Sequence, residues 1–498
     1  MPRTIPIFYS ALLLTGVNLL LRLVGTSFQV YISASLGPAG VGLLQLVLSV
    51  GSLALVTGMG GIRTAAMYLT AEELGKGKPG HVRWVLSGCF LYSLLFSGTV
   101  AAALYLSAPV IAEVWIADSR TVEALRLFSA FLPVTCLCGV MTGYFTAANR
   151  IATLAAVEVT EQLLSMGVTL LALTRWAGSD PSRACMSVIL GSCTGSCLTL
   201  GCLIFLRLRE HPERAARIPV GQRVAGTALP LALADVLRSA ISTTENLMVP
   251  RRLARNRTVT DPLAVFGLLS GMVFPILMFP ACILFGLAEL LIPELARCAA
   301  ADSRLRIRYL VKRSLKVAML YGICFGGLMF LLAEPLCLKL YNNAEAARYL
   351  RLYSPLVPML YCDAITDALT KGLGQQTACV RYNILTSSLD VIFLWLLLPQ
   401  YGMEGYYFSF LVTHALNFGL SLSRLLKISR EKIPVYVPLL SVSAAIAAVW
   451  CVSHLHNTLA RIPAFLALLV SLLYLLRIVG KEDILWIRGL ITKQKMTR

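Results

Sequence analysis

Charge is scarce in this 498-residue chain: Asp, Glu, Lys and Arg together make up 14% of it, and histidine occurs five times. Against 57% hydrophobic residues this leaves too little polar surface to clothe a soluble globule, and apolar runs of twenty or so residues recur from end to end. The chain reads as an all-α polytopic membrane protein. No C-x-x-C pair occurs among the 14 cysteines, which removes the usual zinc and redox-pair spacings. Cys136 and Cys138 lie one residue apart, and Cys193 and Cys197 one helical turn apart; all read as small apolar packing residues. Neither a metal, a cofactor nor a catalytic set is expected. The first apolar run follows Arg3, continues past Arg22 to about residue 36 and contains no small-residue cleavage site, so it is expected to stay in the membrane. Sizeable outer loops are missing too, the longest being roughly a dozen residues, which argues against a membrane-embedded glycosyl-transfer or polymerase enzyme.

What is present is a ladder of about fourteen spans, near residues 5–34, 41–70, 84–107, 122–148, 151–174, 184–206, 225–250, 262–294, 308–333, 347–371, 377–399, 403–426, 433–454 and 461–479. Acid is the scarcer sign, at 25 residues against 44 basic ones, and the excess is not spread evenly. Lys76, Lys78 and Arg83 follow the second span; Arg207, Arg209, Arg214 and Arg217 the sixth; Arg304, Arg306 and Arg308 the eighth; Lys427, Arg430 and Lys432 the twelfth; Lys481, Arg488, Lys493 and Lys495 the last. Every second loop is basic, so the chain is expected in the cell membrane with both termini cytoplasmic. The net charge of +19 then reflects this bias and an affinity for anionic membrane lipids, with no call for nucleic acid. One loop breaks the pattern: Arg251, Arg252, Arg255 and Arg257 fall on the outer side, either as a phosphate or lipid-head site or as a charged loop with no ligand.

A basic linker from Leu206 to Arg223 divides the chain after six spans. A weak internal repeat supports the division, since GLLQLVLSVGSLALVTGMGGIRTAAMYLTAEE at 42–73 aligns without a gap on GLLSGMVFPILMFPACILFGLAELLIPELARC at 267–298. The expected organisation is an N-terminal six-helix lobe at 1–217, a C-terminal six-helix lobe at 218–430, and two further helices with a basic tail at 431–498. Six spans per lobe make the repeat parallel, an arrangement known in transporters.

Charges inside spans carry the functional signal, because each costs roughly 2.5–3.5 kcal/mol near the bilayer centre on the insertion scale. In the seventh span, Asp235, Arg238, Ser239, Ser242, Glu245 and Asn246 recur at i, i+3, i+4, i+7, i+10 and i+11, one face about 120° wide. In the tenth, Asp363, Thr366, Asp367, Thr370 and Lys371 recur at i, i+3, i+4, i+7 and i+8. Span 1 adds Arg22, span 5 Glu158 and Glu161, and span 11 Asp390. Such stripes face a bundle interior or a water-filled cavity. Asp235 with Arg238, and Asp367 with Lys371, are also spaced to neutralise each other along one helix, which would make them purely structural. Arg63 and Glu289 lie near span ends, where long side chains snorkel. Pro275 and Pro280, and Gly58, Gly60 and Gly61, mark expected bends.

Several segments in order carry a family resemblance: SLGPAGVGLLQL, GIRTAAMYLTAEELGKG, VEVTEQLL, NLMVPRRL, FGLLSGMVFPILMFP, ITDALTKGLGQQ and YNILTSSLDVIFLWLLLPQYGMEGYYFS. Over nearly its whole length the chain resembles the stage V sporulation protein B family, within the multidrug, oligosaccharidyl-lipid and polysaccharide (MOP) exporter superfamily. The resemblance implies two six-helix lobes, MATE-like or lipid II flippase-like, around a central cavity, with two extra helices helping to form a groove for a polyprenyl tail. It implies transport of undecaprenyl-pyrophosphate-linked oligosaccharides by alternating access, for spore cortex peptidoglycan, alongside cell-wall polymerases. Arg22 sits where such flippases carry a cavity arginine; Asp235, Arg238 and Glu245 join it as candidate substrate-binding residues on their stripe alone. Glu161, Asp363, Asp367 and Lys371 are the candidate coupling residues for H⁺ or Na⁺. The excess of acid over base in the stripes also suits the alternative, a cation-coupled multidrug or organic-cation antiporter of the same fold.

The orientation predicts that single cysteines placed after spans 2, 6, 8 and 12 of a cysteine-free variant react only with reagents that reach the cytoplasm. Labelling of the 207–217 linker from outside would overturn it.

Overall fold

The computed structural model describes residues 7–480, apart from 179, 210–218, 432, 433, 435 and 456. The boundary at 217 and the basic residues Arg3, Arg214, Arg217, Lys432, Lys481, Arg488, Lys493 and Lys495 lie outside the described residues. Every regular element among those described is helical. In chain order they are α1 (Ile7–Met59), α2 (Ile62–Gly75), α3 (Val82–Val110), α4 (Val122–Ala147), α5 (Ile151–Ala172), α6 (Pro181–Leu208), α7 (Gly221–Leu253) and α8 (Pro262–Gly267). They continue with α9 (Phe274–Met278), α10 (Ala281–Ala300), α11 (Arg304–Tyr341), α12 (Ala344–Tyr353), α13 (Val357–Gly372), α14 (Gln376–Ser429), α15 (Tyr436–Ser453) and α16 (Thr458–Leu475).

These elements make the fourteen spans. The long α1 and α14 are each two spans joined at a glycine, Gly37 (φ 69°, ψ 173°) and Gly402 (φ 55°, ψ −127°), in backbone conformations that a Cβ would strain. The second span runs on from α1 into α2, the eighth is the broken series α8 to α10, and the tenth is α12 with α13. Among the described residues eight helices, nine with the bent α8–α10 series, are long and apolar enough to cross a membrane. Two helices that are not, α7 and α13, are those that carry the charged stripes. The chain is a multi-pass membrane protein.

By compactness the chain divides into one unit of residues 1–272 with 387–410, and another of residues 273–386 with 411–498. In the first, α1, α3, α4, α6, α7, α8 and the first part of α14 pack around a core that includes Leu43, Leu46, Leu125, Leu132, Phe266 and Leu398. At one end Arg223 of α7 donates to both Glu72 and Glu73 of α2, at 2.9 Å each. At the opposite end the helices open on capping residues: Asp180 accepts from Ser182 N and Asp261 from Ala264 N, each just before a proline at the first helical position. Asn256 there donates to the Pro399 carbonyl at 3.2 Å.

The two repeated segments meet inside this unit. Gly42 and Gly267, the first residues of the aligned stretches, lie backbone to backbone: a Cβ on Gly267 would overlap the Pro38 carbonyl and the Gly42 backbone, and one on Gly42 the Leu263 carbonyl. Ser33 Oγ donates to the Gly271 carbonyl 2.6 Å away. Both segments then break, at Gly60–Gly61 and at Phe279–Pro280, though not at matching positions.

In the second unit the break at Phe279–Pro280 exposes carbonyls that a continuous helix would bond. Tyr361 of α13 donates to Leu277 O at 2.7 Å and Tyr321 of α11 to Pro280 O at 2.8 Å. The extra helices α15 and α16 pack on α11, where a Cβ on Gly327 would overlap the ring of the fully buried Phe465. All 14 cysteines are unbonded; Cys197 and Cys451 are exposed and the rest buried or half-buried in the packing.

The Gly42–Gly267 contact predicts that Gly267→Ala destabilises the protein by about 1–3 kcal/mol through overpacking. Gly98→Ala, on an α3 position with nothing within 4 Å of the added Cβ, should stabilise slightly. Thermal unfolding in detergent, followed by tryptophan fluorescence, separates the two; equal melting temperatures would contradict the close approach.

Candidate functional site

The α7 stripe divides in two. Asp235, Arg238 and Ser242 are exposed, and Asp235 and Arg238 form no ion pair with each other among the described residues, so the intrahelical neutralisation open to them in sequence is not used. One turn further along, the helix is pinned against α1: Thr243 donates to the Ser49 carbonyl and Asn246 Nδ2 to Ser49 Oγ, each at 3.0 Å. Glu245 turns the other way, toward α14, where it lies beside Ser387 and within electrostatic reach of Asp390. One of its carboxyl oxygens, Oε1, is buried with no hydrogen-bond partner. Asp390 in turn accepts from Ser409 at 2.5 Å, and Tyr406 lies within electrostatic reach of both carboxylates. The first unit therefore holds a polar cluster of two carboxylates, hydroxyls and a phenol between α7 and α14.

Arg22 is exposed on α1. Next to it, Gln162 of α5 donates to the Leu21 carbonyl at 3.0 Å and closes on Gly25, fixing α5 against this part of α1. Glu161 points elsewhere: it accepts from Thr199 of α6 at 2.6 Å and its Cγ packs where a Cβ on Gly195 would be. Glu158, one turn earlier, lies within electrostatic reach of Arg63. The two acids of α5 thus look toward different neighbours.

On α13 the expected stripe is narrower than its sequence suggests. Thr366 and Thr370 are fully buried and spend their hydroxyls on the Cys362 and Thr366 carbonyls of their own helix, at 2.7 Å each. Of the two settings open to the stripe, these threonines take the bundle interior: a threonine that bonds the carbonyl four residues back satisfies itself inside packed protein. What remains is Asp363, Asp367 and Lys371, all half-buried. Lys371 Nζ lies 2.6 Å from Asp367, so this intrahelical pair does form. Among the described residues Asp363 has no such cation; both its oxygens accept from Asn417 of α14, at 3.1 and 3.3 Å. The two carboxylates of one helix face are therefore held differently, one by a charge and one by an amide.

Sequence reasoning missed the partners rather than the acids. Asp390 stood alone in its span and Ser387, Ser409 and Asn417 looked like ordinary polar residues in an apolar helix. A signal was available in the i, i+3 spacing of Ser387 and Asp390, which puts a hydroxyl beside the carboxylate on one face.

Compared with known proteins, residues 8–224 match the polysaccharide biosynthesis protein family. The chain is 22% identical to stage V sporulation protein B of Bacillus subtilis (strain 168) over 412 residues, 79% of this chain and 78% of that one. Among solved structures it is similar to a lipid II flippase MurJ in an inward closed conformation, with a TM-score of 0.69 at 14% identity, covering 92% of this chain and 97% of the other. It is also similar to an inward-facing multidrug resistance MATE family transporter of the MOP superfamily, with a TM-score of 0.64 at 13% identity, covering 84% and 100%. The chain thus has the fold of the MOP-superfamily transporters, and the resemblance to stage V sporulation protein B read from its sequence extends over most of its length.

Proposed function

We propose that this protein is a flippase for an undecaprenyl-pyrophosphate-linked cell-wall oligosaccharide, working by alternating access and serving spore cortex peptidoglycan synthesis. The observation that carries the reading is the likeness to a lipid II flippase along 92% of the chain, together with a curated relative named for sporulation. Arg22 is the proposed anchor for the pyrophosphate, since a guanidinium offers paired donors to phosphate oxygens. Arg238 is the second cation, with Asp235 on the same exposed part of α7 and Glu245 set apart toward α14.

Coupling to H⁺ or Na⁺ is assigned first to Asp363. Asp367 is already neutralised by Lys371, whereas Asp363 is held by a neutral amide and, among the described residues, can change its charge without breaking an ion pair. Glu161 is a weaker choice because Thr199 of α6 holds it within the packing.

A second reading keeps the same fold and makes the protein a cation-coupled exporter of organic cations. The specific observation in its favour is the acid excess, with the Glu245–Asp390 cluster and Asp363 set against few cations in the spans. Purified protein in liposomes, offered a lipid-linked oligosaccharide or a hydrophobic cation with and without an imposed ion gradient, separates the two. Movement of the lipid-linked sugar supports the first reading; movement of the cation alone replaces it with the second.

In the same assay Arg22→Ala is expected to weaken binding of the lipid-linked sugar about tenfold or more while the protein still inserts and folds. Asp363→Asn is expected to leave binding within about twofold and to cut the gradient-dependent component of transport about tenfold. Loss of binding in Asp363→Asn, with the residual transport as gradient-dependent as before, would move this carboxylate into the substrate site.

A further inference from the structure

The arginines that break the charge pattern gather at a cavity. Within the first unit, at the C-terminal end of α7, a space of about 530 Å³ is lined by Arg251, Arg252, Arg255, Thr244, Trp115 and Trp395. Leu53, Leu247 and Met248 make up an apolar part of its lining. Arg252 is only 5% exposed, lies over the Trp395 ring, and its Nη2 is buried with no hydrogen-bond partner. Among the described residues no carboxylate forms an ion pair with any of the three arginines. Cations near a helix C-terminus are favoured by the helix dipole, and that accounts for basic residues in the last turn of α7. It does not account for driving one of them into the protein with a nitrogen unsatisfied, since a guanidinium cannot shed its charge and a buried unpaired cation is strongly disfavoured.

The surroundings say which anion fits. Trp115 and Trp395 are 44% and 56% exposed, as tryptophans are at the level where hydrocarbon meets water. The same end of the unit carries the capping residues Asp180 and Asp261 and the Asn256–Pro399 contact, which mark it as the water-facing end of these helices. Three cations at the C-terminal end of α7, with Leu247 and Met248 one turn earlier and Leu53 in the same lining, match a phosphate ester that carries a hydrocarbon tail. A free phosphate would satisfy the arginines and leave those apolar side chains bare.

We propose that this cavity binds the headgroup phosphate of an anionic membrane phospholipid, with Arg252 as its main donor, Arg251 and Arg255 completing the charge, and the lipid's acyl chain lying along Leu53 and Met248. The site does not depend on the transported substrate or on its coupling ion.

The test uses the full-length protein in detergent, titrated with phosphatidylglycerol, phosphatidylcholine or inorganic pyrophosphate, with bound lipid read by native mass spectrometry and stability by thermal unfolding. Phosphatidylglycerol should be retained and raise the melting temperature, with phosphatidylcholine and pyrophosphate doing neither. Arg252→Gln should weaken this binding about tenfold or more. Because Arg252 is buried and its replacement also tests the fold, the exposed Arg255→Gln provides a second reading and should weaken binding several-fold in a protein that melts normally without lipid. Arg257→Gln, outside the cavity, should bind like the unaltered protein. Equal stabilisation by pyrophosphate would overturn the lipid assignment in favour of a soluble phosphate. Equal retention of the two lipids, or unchanged binding in Arg255→Gln, would overturn the site.

Discussion

Hydrocarbon offers no hydrogen bonds, and every polar group in this chain is placed under that constraint. Backbone groups answer it with regular elements that are all helical among the described residues, and where the ladder is interrupted at Phe279–Pro280 the hydroxyls of Tyr321 and Tyr361 take up the carbonyls. Serines and threonines answer it by bonding four residues back along their own helix, as Thr366 and Thr370 do. Carboxylates cannot satisfy themselves in this way. They are held by a lysine at Asp367, an amide at Asp363, and hydroxyls at Glu161 and Asp390. Each of these partners leaves its acid with a different freedom to change charge, and the functional assignments follow from that difference.

Much of this was legible in the sequence because hydropathy and helical period are local properties. The fourteen spans, the breaks at Gly60–Gly61 and Pro280, and the faces of α7 and α13 all follow from residues a few positions apart. Partners on other helices do not. Glu161 looked free to carry an ion until Thr199 of α6 was placed against it, and Asp390 looked isolated until Glu245 and Ser409 came into range. Thr366 and Thr370 share the period of the wet face yet are buried, because a hydroxyl that can bond its own backbone is indifferent to which side it faces. The pairing of Asp367 with Lys371 and the absence of one between Asp235 and Arg238 show the same limit from within a single helix: spacing permits both, and surroundings decide.

The repeat has a consequence of a similar kind. Its opening glycines, Gly42 and Gly267, align in sequence and touch in space, so the small side chain is required twice at one place. Beyond that contact the copies diverge: one breaks at a pair of glycines and the other at a proline, and the second break is braced by tyrosines. A glycine pair leaves the backbone free to choose among conformations, whereas the braced proline break commits it to one.

The path of α14 also bears on how the protein is made. Residues 387–410 complete the first compact unit, but the chain reaches them only after residues 273–386 of the second have been synthesised. Leu394 and Leu398 belong to the core formed by α1, α4 and α7, which therefore stays open while α8 to α13 enter the membrane. Assembly cannot proceed one finished unit at a time from the N-terminus. The growing chain must carry an incomplete first bundle through several further insertions, and a ribosome that stalls before residue 410 would release a product whose core is exposed to lipid.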